Sequence, residues 1–372
     1  MPAPAFDRES VPAPIATHDL MGHTAAEQTL LKAATGGRLH HAWLIGGPPG
    51  IGKATLAYRF ARFLLSGGAE PQDDGLFGAP PPPTSLYVSP ENPIARRVAA
   101  GAHGDLLTIQ RTWDEKRKRF KRDLPVEEVR RIAPFLRLTA AEGGWRIVVV
   151  DGADQMNPSG QNAILKILEE PPPRALILLV ADNPGALLPT IRSRTRTLML
   201  EPLPTTTVRS LVNRMMPDLE MGDAAALTTL SDGSIGRGLD LAAAGGLDLY
   251  RVLLGVLDTL PRLDLAAAHA LADQVARAGQ DTVWETTTDL LLWWLARFNR
   301  ALARDQAAAE IVEGEAALME RLSFAARRDR ALDRWMEVWD NVNRLFAKAE
   351  GANLDRKQVM LSALRTIEAA AS

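Results

Sequence analysis

The stretch from Trp43 to Phe60, WLIGGPPGIGKATLAYRF, constrains the fold more than any other part of the chain. A short apolar run breaks into glycine and proline and then resumes at helical spacing, which predicts a strand, a loop and a helix. Gly47, Gly52 and Lys53 fit the G-x-x-x-x-G-K frame of a P-loop, whose backbone N–H groups surround phosphate oxygens while the lysine reaches the terminal phosphates. A glycine-rich turn is the simpler alternative, but the flanking strand and helix are the context that the motif requires.

The position after the lysine departs from the motif. Ala54 stands where Ser or Thr normally places a hydroxyl on Mg²⁺, and Thr55, one step around the helix, carries the nearest hydroxyl. Gly50 lies inside the loop and is also predicted to line the phosphate site. The sequence therefore predicts a site for ATP or ADP with Mg²⁺ in which the metal is poorly held.

Composition excludes several classes of protein. The chain has 372 residues, 46% of them hydrophobic, a net charge of −2 and no cysteine. This length predicts two or three packed domains. The balanced charge means that any contact with DNA must be local. Disulfides and thiolate zinc sites are excluded without cysteine, and no apolar run reaches membrane length, so we expect a cytoplasmic protein.

A second strand ends in a carboxylate. The run Trp145 to Val150 is apolar on both faces, as is typical of a central parallel strand, and Asp151 follows it. This is the position of a Walker B carboxylate, although a helix N-cap would give the same pattern. Gly152 stands where hydrolytic versions carry a glutamate, so hydrolysis is predicted to be weak or absent. Asp154 is a nearby substitute, but we interpret it as the cap of the helix containing Gln161 to Glu170.

A further buried strand is predicted at Ala175 to Ala181. Asp182 and Asn183 follow it, at the strand end where α/β proteins place polar groups that face a ligand.

Six basic residues fall within seven positions after a predicted strand at Asp105 to Gln110. They form either a solvated loop or a contact to the phosphates of DNA, and the sequence leaves both interpretations open. The six are Lys116, Arg117, Lys118, Arg119, Lys121 and Arg122.

Apolar spacing predicts helices over most of the rest of the chain. Val126 to Leu138 reads as one amphipathic helix. Four tryptophans near the C-terminus, Trp293, Trp294, Trp335 and Trp339, favour a packed helical core over a base-stacking platform. The predicted C-terminal helices are Leu249 to Thr259, Leu265 to Ala278, Thr282 to Arg304, Ala307 to Ala326, Ala331 to Lys348 and Arg356 to Ala370.

Three ordered stretches resemble the AAA+ subunits of bacterial DNA polymerase III clamp loaders, and within that family the delta-prime group. They are HHAWLIGGPPGIGK, RIVVVDGADQMNPSGQNAILKILEEPPP and LILLVADNPGALLPTIRSR. The resemblance implies an α/β AAA+ P-loop domain with a parallel sheet, followed by a small helical lid and an all-α collar domain. The implied divisions are a flexible leader at 1–18, the AAA+ domain at 19–202 with a proline-rich insertion at 66–84, the lid at 203–245 and the collar at 246–372.

The resemblance also implies a function. Clamp loaders are five-subunit rings that open a sliding clamp and place it on primer-template DNA, with ATP sites between neighbours. Ser193-Arg194-Thr195 keeps the arginine of the family's Ser-Arg-Cys motif, so Arg194 is expected to reach a neighbour's nucleotide in trans. A surface arginine at a helix end is the alternative. Arg237 matches the sensor-2 arginine, which reaches the subunit's own nucleotide from the lid.

Departures from the family pattern favour a stator over a motor. Ala54 and Gly152 damage the hydrolytic parts, so we expect a hetero-oligomeric replication subunit whose own ATPase is weak or absent. The proline-rich insertion stands where the family carries a four-cysteine module, so zinc is not expected. Expected partners are the motor and delta subunits, the sliding clamp, the polymerase III assembly and, through the complex, DNA. The alternatives are an active motor ATPase that uses Thr55 and Asp154, and a P-loop protein unrelated to replication.

Overall fold

The computed structural model describes residues 6–70, 82–111, 113–114, 119–120, 123–141, 144–277, 279–306, 309–328, 331–352 and 354–372. The chain forms two compact units. The first, called the sheet unit, contains residues 9–211 and 232–237. The second, called the helical unit, contains residues 212–231 and 238–372 with the few described residues before 9.

The described residues of the sheet unit form seven strands. They are β1 (Ala42–Gly46), β2 (Leu106–Ile109), β3 (Trp113–Asp114), β4 (Arg119–Phe120), β5 (Arg146–Asp151), β6 (Ala175–Ala181) and β7 (Arg196–Met199). Five form a parallel sheet in the order β2-β5-β6-β1-β7, and β3 pairs with β4 in a separate antiparallel pair. Strands β1 and β6 are buried throughout and β5 over all but its last residue, as their continuous apolar runs predict for strands covered on both faces.

Helices surround this sheet and make up the helical unit. The first eight are α1 (Thr24–Thr35), α2 (Lys53–Leu65), α3 (Pro93–Ala99), α4 (Val126–Arg130), α5 (Ile132–Arg137), α6 (Pro158–Glu169), α7 (Pro189–Arg192) and α8 (Thr205–Met215). The rest are α9 (Met221–Leu230), α10 (Ile235–Ala243), α11 (Gly246–Leu257), α12 (Leu265–Val275), α13 (Asp281–Arg304), α14 (Glu315–Arg328), α15 (Leu332–Ala352) and α16 (Arg356–Ala371). Short 3₁₀ turns span Arg8–Ser10, Ala153–Gln155 and Pro184–Ala186.

The two faces of the sheet bury different side chains. Along β1, Trp43 and Ile45 pack into the core that also contains α1 and α2. Ala42 and Leu44 point the other way, into the core that contains α4, α5 and α6. This alternation produces a three-layer arrangement of helices, sheet and helices. The predicted α/β domain with a parallel sheet and the predicted helical C-terminal region are both confirmed.

The stretch predicted as one helix at 126–138 is two helices. It divides at Arg131, between α4 and α5. Pro134 explains the interruption, because proline has no N–H to donate to a carbonyl of the preceding turn. The apolar face was nevertheless predicted correctly, since Val129, Ile132 and Leu136 are buried.

Part of the segment predicted as a leader is held against α2. The Arg62 guanidinium, 2% exposed, donates to Ile15 O at 3.0 Å. Arg59 donates to His18 O at 2.8 Å. Residues 15–18 are therefore fixed by hydrogen bonds from buried arginines.

The helical unit has an aromatic core. Trp294 stacks on Phe298 with ring centroids 5.6 Å apart, and Phe298 meets Trp335 edge-on at 4.6 Å. Trp294 and Trp335 are fully buried, and the indole N–H of Trp339 donates to Leu292 O at 3.2 Å. This burial confirms the core interpretation and removes the stacking-platform alternative for Trp294 and Trp335.

A buried charge marks the start of α14. Glu315 is 1% exposed, accepts a hydrogen bond from Tyr250 Oη at 2.6 Å and pairs with Arg297. Burial raises the pKa of Glu315 above its usual value. The helix predicted from Ala307 begins at Glu315 instead, because this carboxylate and its partners end the irregular segment before it.

The predicted lid at 203–245 is divided between the two units, so its boundaries at 203 and 246 remain predictions. Within the described parts of the chain, no helix combines the length and the apolar character that a bilayer crossing requires.

Candidate functional site

The loop between β1 and α2 has the backbone of a P-loop. Gly47, Gly50 and Gly52 have φ values of 144°, 72° and 103°, a region that favours glycine. A Cβ on Gly47 would lie 2.4 Å from Leu200 O. The loop's conformation therefore favours glycine at all three positions, and Gly47 and Gly50 also lie close to neighbouring backbone.

Four consecutive carbonyls of this loop accept hydrogen bonds from outside it or from its lysine. Pro48 O accepts from Lys53 Nζ, and Pro49 O accepts from Ser234 Oγ at 2.8 Å. Gly50 O accepts from the Gly236 N–H at 2.9 Å, and Ile51 O lies 2.8 Å from His23 Nε2. These hydrogen bonds fix the carbonyls of the loop without a ligand, as expected of a P-loop, in which the backbone N–H groups face an anion.

The P-loop lysine is engaged by a carboxylate of its own chain. Lys53 is 4% exposed, and its Nζ lies 2.7 Å from Asp182 Oδ1. Asp182 follows β6, so it stands at the same edge of the sheet as the end of β5. The two strand ends and the loop thus bring Lys53, Asp151 and Asp182 into one site.

Asp151 is the last residue of β5 and lines a cleft of about 390 Å³ with Arg111, Gln155 and Asp182. Burial, followed by repulsion from Asp182, raises the pKa of Asp151, while Lys53 and Arg111 oppose the shift. The position of Asp151 fits a Walker B carboxylate. Asp151 does not cap a helix, because it is the last residue of β5 and Gly152 precedes the 3₁₀ turn that follows. Arg111 and Gln155 were not singled out in the sequence.

The groups needed for hydrolysis are missing or engaged elsewhere. Ala54 and Thr55 lie in the first turn of α2, and alanine offers no hydroxyl. Gly152 has φ of 82°, and a Cβ there would meet Gln155 Oε1 at 2.7 Å. Asp154 accepts from the Asn183 N–H at 2.8 Å, so the prediction that it caps α6 is wrong. Asn157 is the cap, accepting from the Gly160 N–H at 2.8 Å.

Arg237 belongs to the segment that covers the P-loop. Its N–H donates to Ser234 Oγ at 3.1 Å, and its backbone nitrogen lies 3.2 Å from the position of a Cβ built on Gly50. The structure thus brings the backbone of Arg237 beside the loop, and its role toward a nucleotide stays a prediction.

Arg194 lies just after α7, near the start of β7. Its guanidinium pairs with Glu169 at 2.8 Å and donates to Thr190 O at 3.0 Å, and its side chain is 36% exposed. The arginine is therefore oriented by α6 and α7 at the surface, on a different part of the sheet unit from Lys53.

Much of the predicted basic contact lies outside the described residues, namely Lys116, Arg117, Lys118, Lys121 and Arg122. Arg119 pairs through its backbone with Asp114 in the β3–β4 pair. Residues 71–81 of the proline-rich insertion also lie outside the described residues. Among the described residues, no cluster of three or more His, Asp or Glu side chains is arranged to hold a metal ion.

Comparisons with known proteins show a similarity over residues 22–204. Residues 22–204 match the model of a family described as DNA polymerase III, delta subunit. DNA polymerase III subunit delta′ of Pseudomonas aeruginosa is 36% identical over 169 residues, 45% of this chain and 45% of that protein. The delta′ subunit of Escherichia coli is 32% identical over 214 residues, 58% of each. The chain is thus similar to DNA polymerase III delta′ subunits, and the family match covers residues 22–204, just under half of the chain.

A second type of DNA polymerase III subunit matches more of the chain at lower identity. DNA polymerase III subunit gamma/tau of Mycobacterium tuberculosis is 28% identical over 355 residues, 87% of this chain and 57% of that protein. The chain spans about half the length of the curated relatives it matches. The family match at residues 22–204 lies within the sheet unit, which also contains the P-loop and Arg194.

The sequence did not predict the carboxylate partners of Lys53 and Arg194. Asp182 pairs with Lys53 and Glu169 pairs with Arg194. A signal existed for Asp182, because polar residues after neighbouring parallel strands meet at one edge of the sheet. The sequence offered no such signal for Glu169, because its pairing with Arg194 depends on how α6 and α7 pack.

Proposed function

We propose that this chain acts as a delta-prime-like stator subunit of a DNA polymerase III clamp loader. In this role it holds a nucleotide without splitting it and donates Arg194 to the ATP site of a neighbouring subunit during loading of the clamp on primed DNA. One observation carries the proposal: the phosphate cradle is fully formed while the residues that would ligate Mg²⁺ and activate water are replaced by Ala54 and Gly152.

The residues fit the phosphates of ATP or ADP. Gly47, Gly50 and Gly52 give the loop its anion-facing backbone, and α2 begins at Lys53 with its N-terminus toward the site. Lys53 is the residue that would meet the terminal phosphates, and Arg237 would approach from the covering segment. When bound, the nucleotide supplies a negative ligand that ties loop, helix and covering segment together.

The fit to Mg²⁺ is weaker. Asp151 is in place for the metal, but the hydroxyl expected from the residue after the lysine is absent at Ala54, and Thr55 lies one step around α2. Hydrolysis also needs a polarised water, and Gly152 offers no base. These substitutions support a site used for binding.

Arg194 suits donation in trans. Its partner Glu169 is itself 49% exposed, and exposed ion pairs contribute little free energy, typically about 0 to 1 kcal/mol. A more highly charged phosphate on a neighbour can therefore replace Glu169 at small cost. Such arginine fingers are worth about 10³- to 10⁵-fold in phosphoryl transfer.

The partners in this proposal are the motor and delta subunits, the sliding clamp and the polymerase III assembly, in the cytoplasm. Primer-template DNA is met through the complex, and the basic residues from Lys116 to Arg122 are candidates for contact with its phosphates. Removing their charge should reduce the salt dependence of DNA binding by the assembled loader. An unchanged salt slope would assign them to a solvated loop.

Reconstitution tests the role of Arg194. A loader assembled with Arg194→Ala should lose about 10³-fold or more at the one ATP site that this arginine faces. The ATPase of the whole loader should fall by that site's share. Arg192→Ala removes an equal charge from the end of α7 and is the matched control, for which we expect unchanged activity. A loader with full ATPase after Arg194→Ala would contradict the trans role.

The alternative of an active motor ATPase is not favoured. Its substitute base, Asp154, accepts a hydrogen bond from the Asn183 N–H, and Gly152 leaves the usual position empty of side chain. The isolated chain should show nucleotide turnover no higher than Lys53→Ala. Robust turnover that Lys53→Ala abolishes would favour the motor.

A further inference from the structure

We propose that Asp182 is an internal competitor of nucleotide: its carboxylate takes the place of a terminal phosphate on Lys53 and so lowers the affinity of this P-loop for triphosphates. The inference deepens the proposed function and rests on its nucleotide-binding part. It makes Asp182 a residue that determines which nucleotide the site accepts.

The contacts of Lys53 are the first support. An ammonium has three donors, and two of those of Lys53 are committed, one to Pro48 O and one to Asp182 Oδ1 at 2.7 Å. The lysine side chain is 4% exposed, so it cannot turn toward water. A phosphate that reaches Lys53 must therefore displace Asp182 or share the ammonium with it.

The exposure of the two partners shows which one can move. Asp182 is 47% exposed, whereas Lys53 is nearly fully buried. The carboxylate stands at the end of β6, beside the cleft that Asp151 and Arg111 also line. It can turn into water when a phosphate arrives, so the pair works as a reversible block rather than a permanent one.

The charges around the cleft determine the selectivity. A bound triphosphate would place its terminal phosphate near Asp182 and Asp151, and like charges at short range raise the free energy of the complex. A well-ligated Mg²⁺ would offset this repulsion, but Ala54 removes one of its ligands. ADP lacks the terminal phosphate and avoids most of the repulsion. Competition by Asp182 should therefore weaken the binding of ATP more than the binding of ADP.

Calorimetric titration of the purified full chain with ATP and with ADP tests the proposal. Asp182→Asn keeps the size of the side chain and removes its charge. We expect this variant to bind ATP about 10- to 100-fold more tightly than the unmodified chain, the range of one charge-assisted hydrogen bond, with a smaller gain for ADP. The double variant Lys53→Ala/Asp182→Asn should lose the gain, because the competition acts through the lysine.

Asp154→Asn is the matched control. It removes an equal charge from the neighbouring turn while keeping an oxygen for the Asn183 N–H, and we expect less than about a threefold change in ATP affinity. A chemical denaturation curve shows that each variant is folded.

Two results would overturn the proposal: Asp182→Asn binding ATP no more tightly than the unmodified chain, including the case where neither binds, or Asp154→Asn giving an equal gain. Either leaves the trans role of Arg194 standing, since that role is measured in the assembled loader. A loader indifferent to Arg194→Ala would remove the stator role and leave the Asp182 result intact.

Discussion

The two sides of the candidate nucleotide site differ in what builds them. On one side, the loop from Gly47 to Gly52 is made of backbone, and His23, Ser234 and Gly236 hold its carbonyls. On the other side, the ends of β5 and β6 present side chains, and there Gly152 offers no carboxylate to act as a base. The loop is held by several hydrogen bonds to other parts of the sheet unit. The chemistry at the strand ends depends on individual side chains, so a single substitution can change it.

This difference teaches that binding and hydrolysis are separable in such a site. Losing the cradle would disturb packing between the loop and residues 232–237, whereas losing a base or a metal ligand costs the fold little. A protein that lacks such a base or metal ligand can therefore keep its P-loop for structural reasons.

The largest effect should come from Gly50→Ala. Its φ of 72° disfavours a side chain, and the new Cβ would lie 2.4 Å from Ser234 Oγ and 3.0 Å from Gly236 Cα. We expect the free energy of unfolding to fall by about 3 kcal/mol, combining backbone strain with a steric clash. Urea denaturation followed by tryptophan fluorescence would measure it.

Gly37→Ala separates the two causes. Gly37 has a similar φ of 69° with no atom within 4 Å of an added Cβ, so we expect a loss of only about 1 kcal/mol. Equal losses in the two variants would mean that the loop is not braced by residues 232–237, and the contrast between the two sides of the site would fail.

The second prediction tries to restore the missing base. Gly152→Glu should not produce turnover, because a φ of 82° strains any side chain there, and Gln155 Oε1, 2.7 Å from an added Cβ, must also move aside. We expect a loss of about 2 kcal/mol in unfolding free energy and phosphate release at the level of Lys53→Ala. Rapid release by Gly152→Glu would show that the hydrolytic side lacks nothing but a carboxylate.

The third prediction concerns Asp151. Its pKa is raised from 3.8 in the folded protein, so the unfolding free energy should decrease as pH rises from about that ordinary value through the raised value, since the charged form is disfavoured in the fold. Asp151→Asn should remove this decrease and stabilise the chain at pH 7 by about 1 kcal/mol. Denaturation curves between pH 4 and pH 7 would measure both effects.

Asp240→Asn is a suitable control, because Asp240 is exposed and pairs with Arg8 within the helical unit. If Asp151→Asn destabilised the chain at pH 7, the carboxylate would be a structural residue, and the strand-end side would be as tightly tied to the fold as the loop.

The smallest effect should be the gain from Ala54→Ser. A hydroxyl in the first turn of α2 supplies the missing ligand, so Mg²⁺ should tighten ATP binding about threefold in the variant and leave the unmodified chain nearly unchanged. Thr55→Ser keeps the native hydroxyl position and is the control. A strong Mg²⁺ effect in the unmodified chain would show that Thr55 already acts as a ligand.

Much of the sheet unit could be predicted because its signals are local. The apolar runs at Trp43, Trp145 and Ala175 each gave a parallel strand, and the glycines of the P-loop have the backbone that the motif predicts. In the helical unit, the helix predicted from Arg356 begins at that residue, and Asp355 caps it by accepting from the Gln358 N–H at 2.9 Å.

The failures arise from contacts between residues distant in sequence. Asp154 looked like a cap, but the Asn183 N–H, 29 positions away, takes its carboxylate. The start of α14 depends on the burial of Glu315 against Tyr250, 65 positions away. The Lys53–Asp182 pair likewise exists only because the strand order places β6 beside β1. Periodicity and capping rules contain no information about such pairs.

The pairing of β7 with β1 has a consequence for any ring built from this subunit. Arg194 precedes β7 by two residues, and β1 ends one residue before Gly47. Leu200 N–H donates to Gly46 O at 2.8 Å, directly beside the loop. Arg194, which we propose acts on a neighbour, and the loop proposed to bind a nucleotide are thus carried by adjacent strands in fixed register. Tilting the sheet would displace both together, so a movement at one contact would be passed to the next through a rigid body, with no chemical step in between.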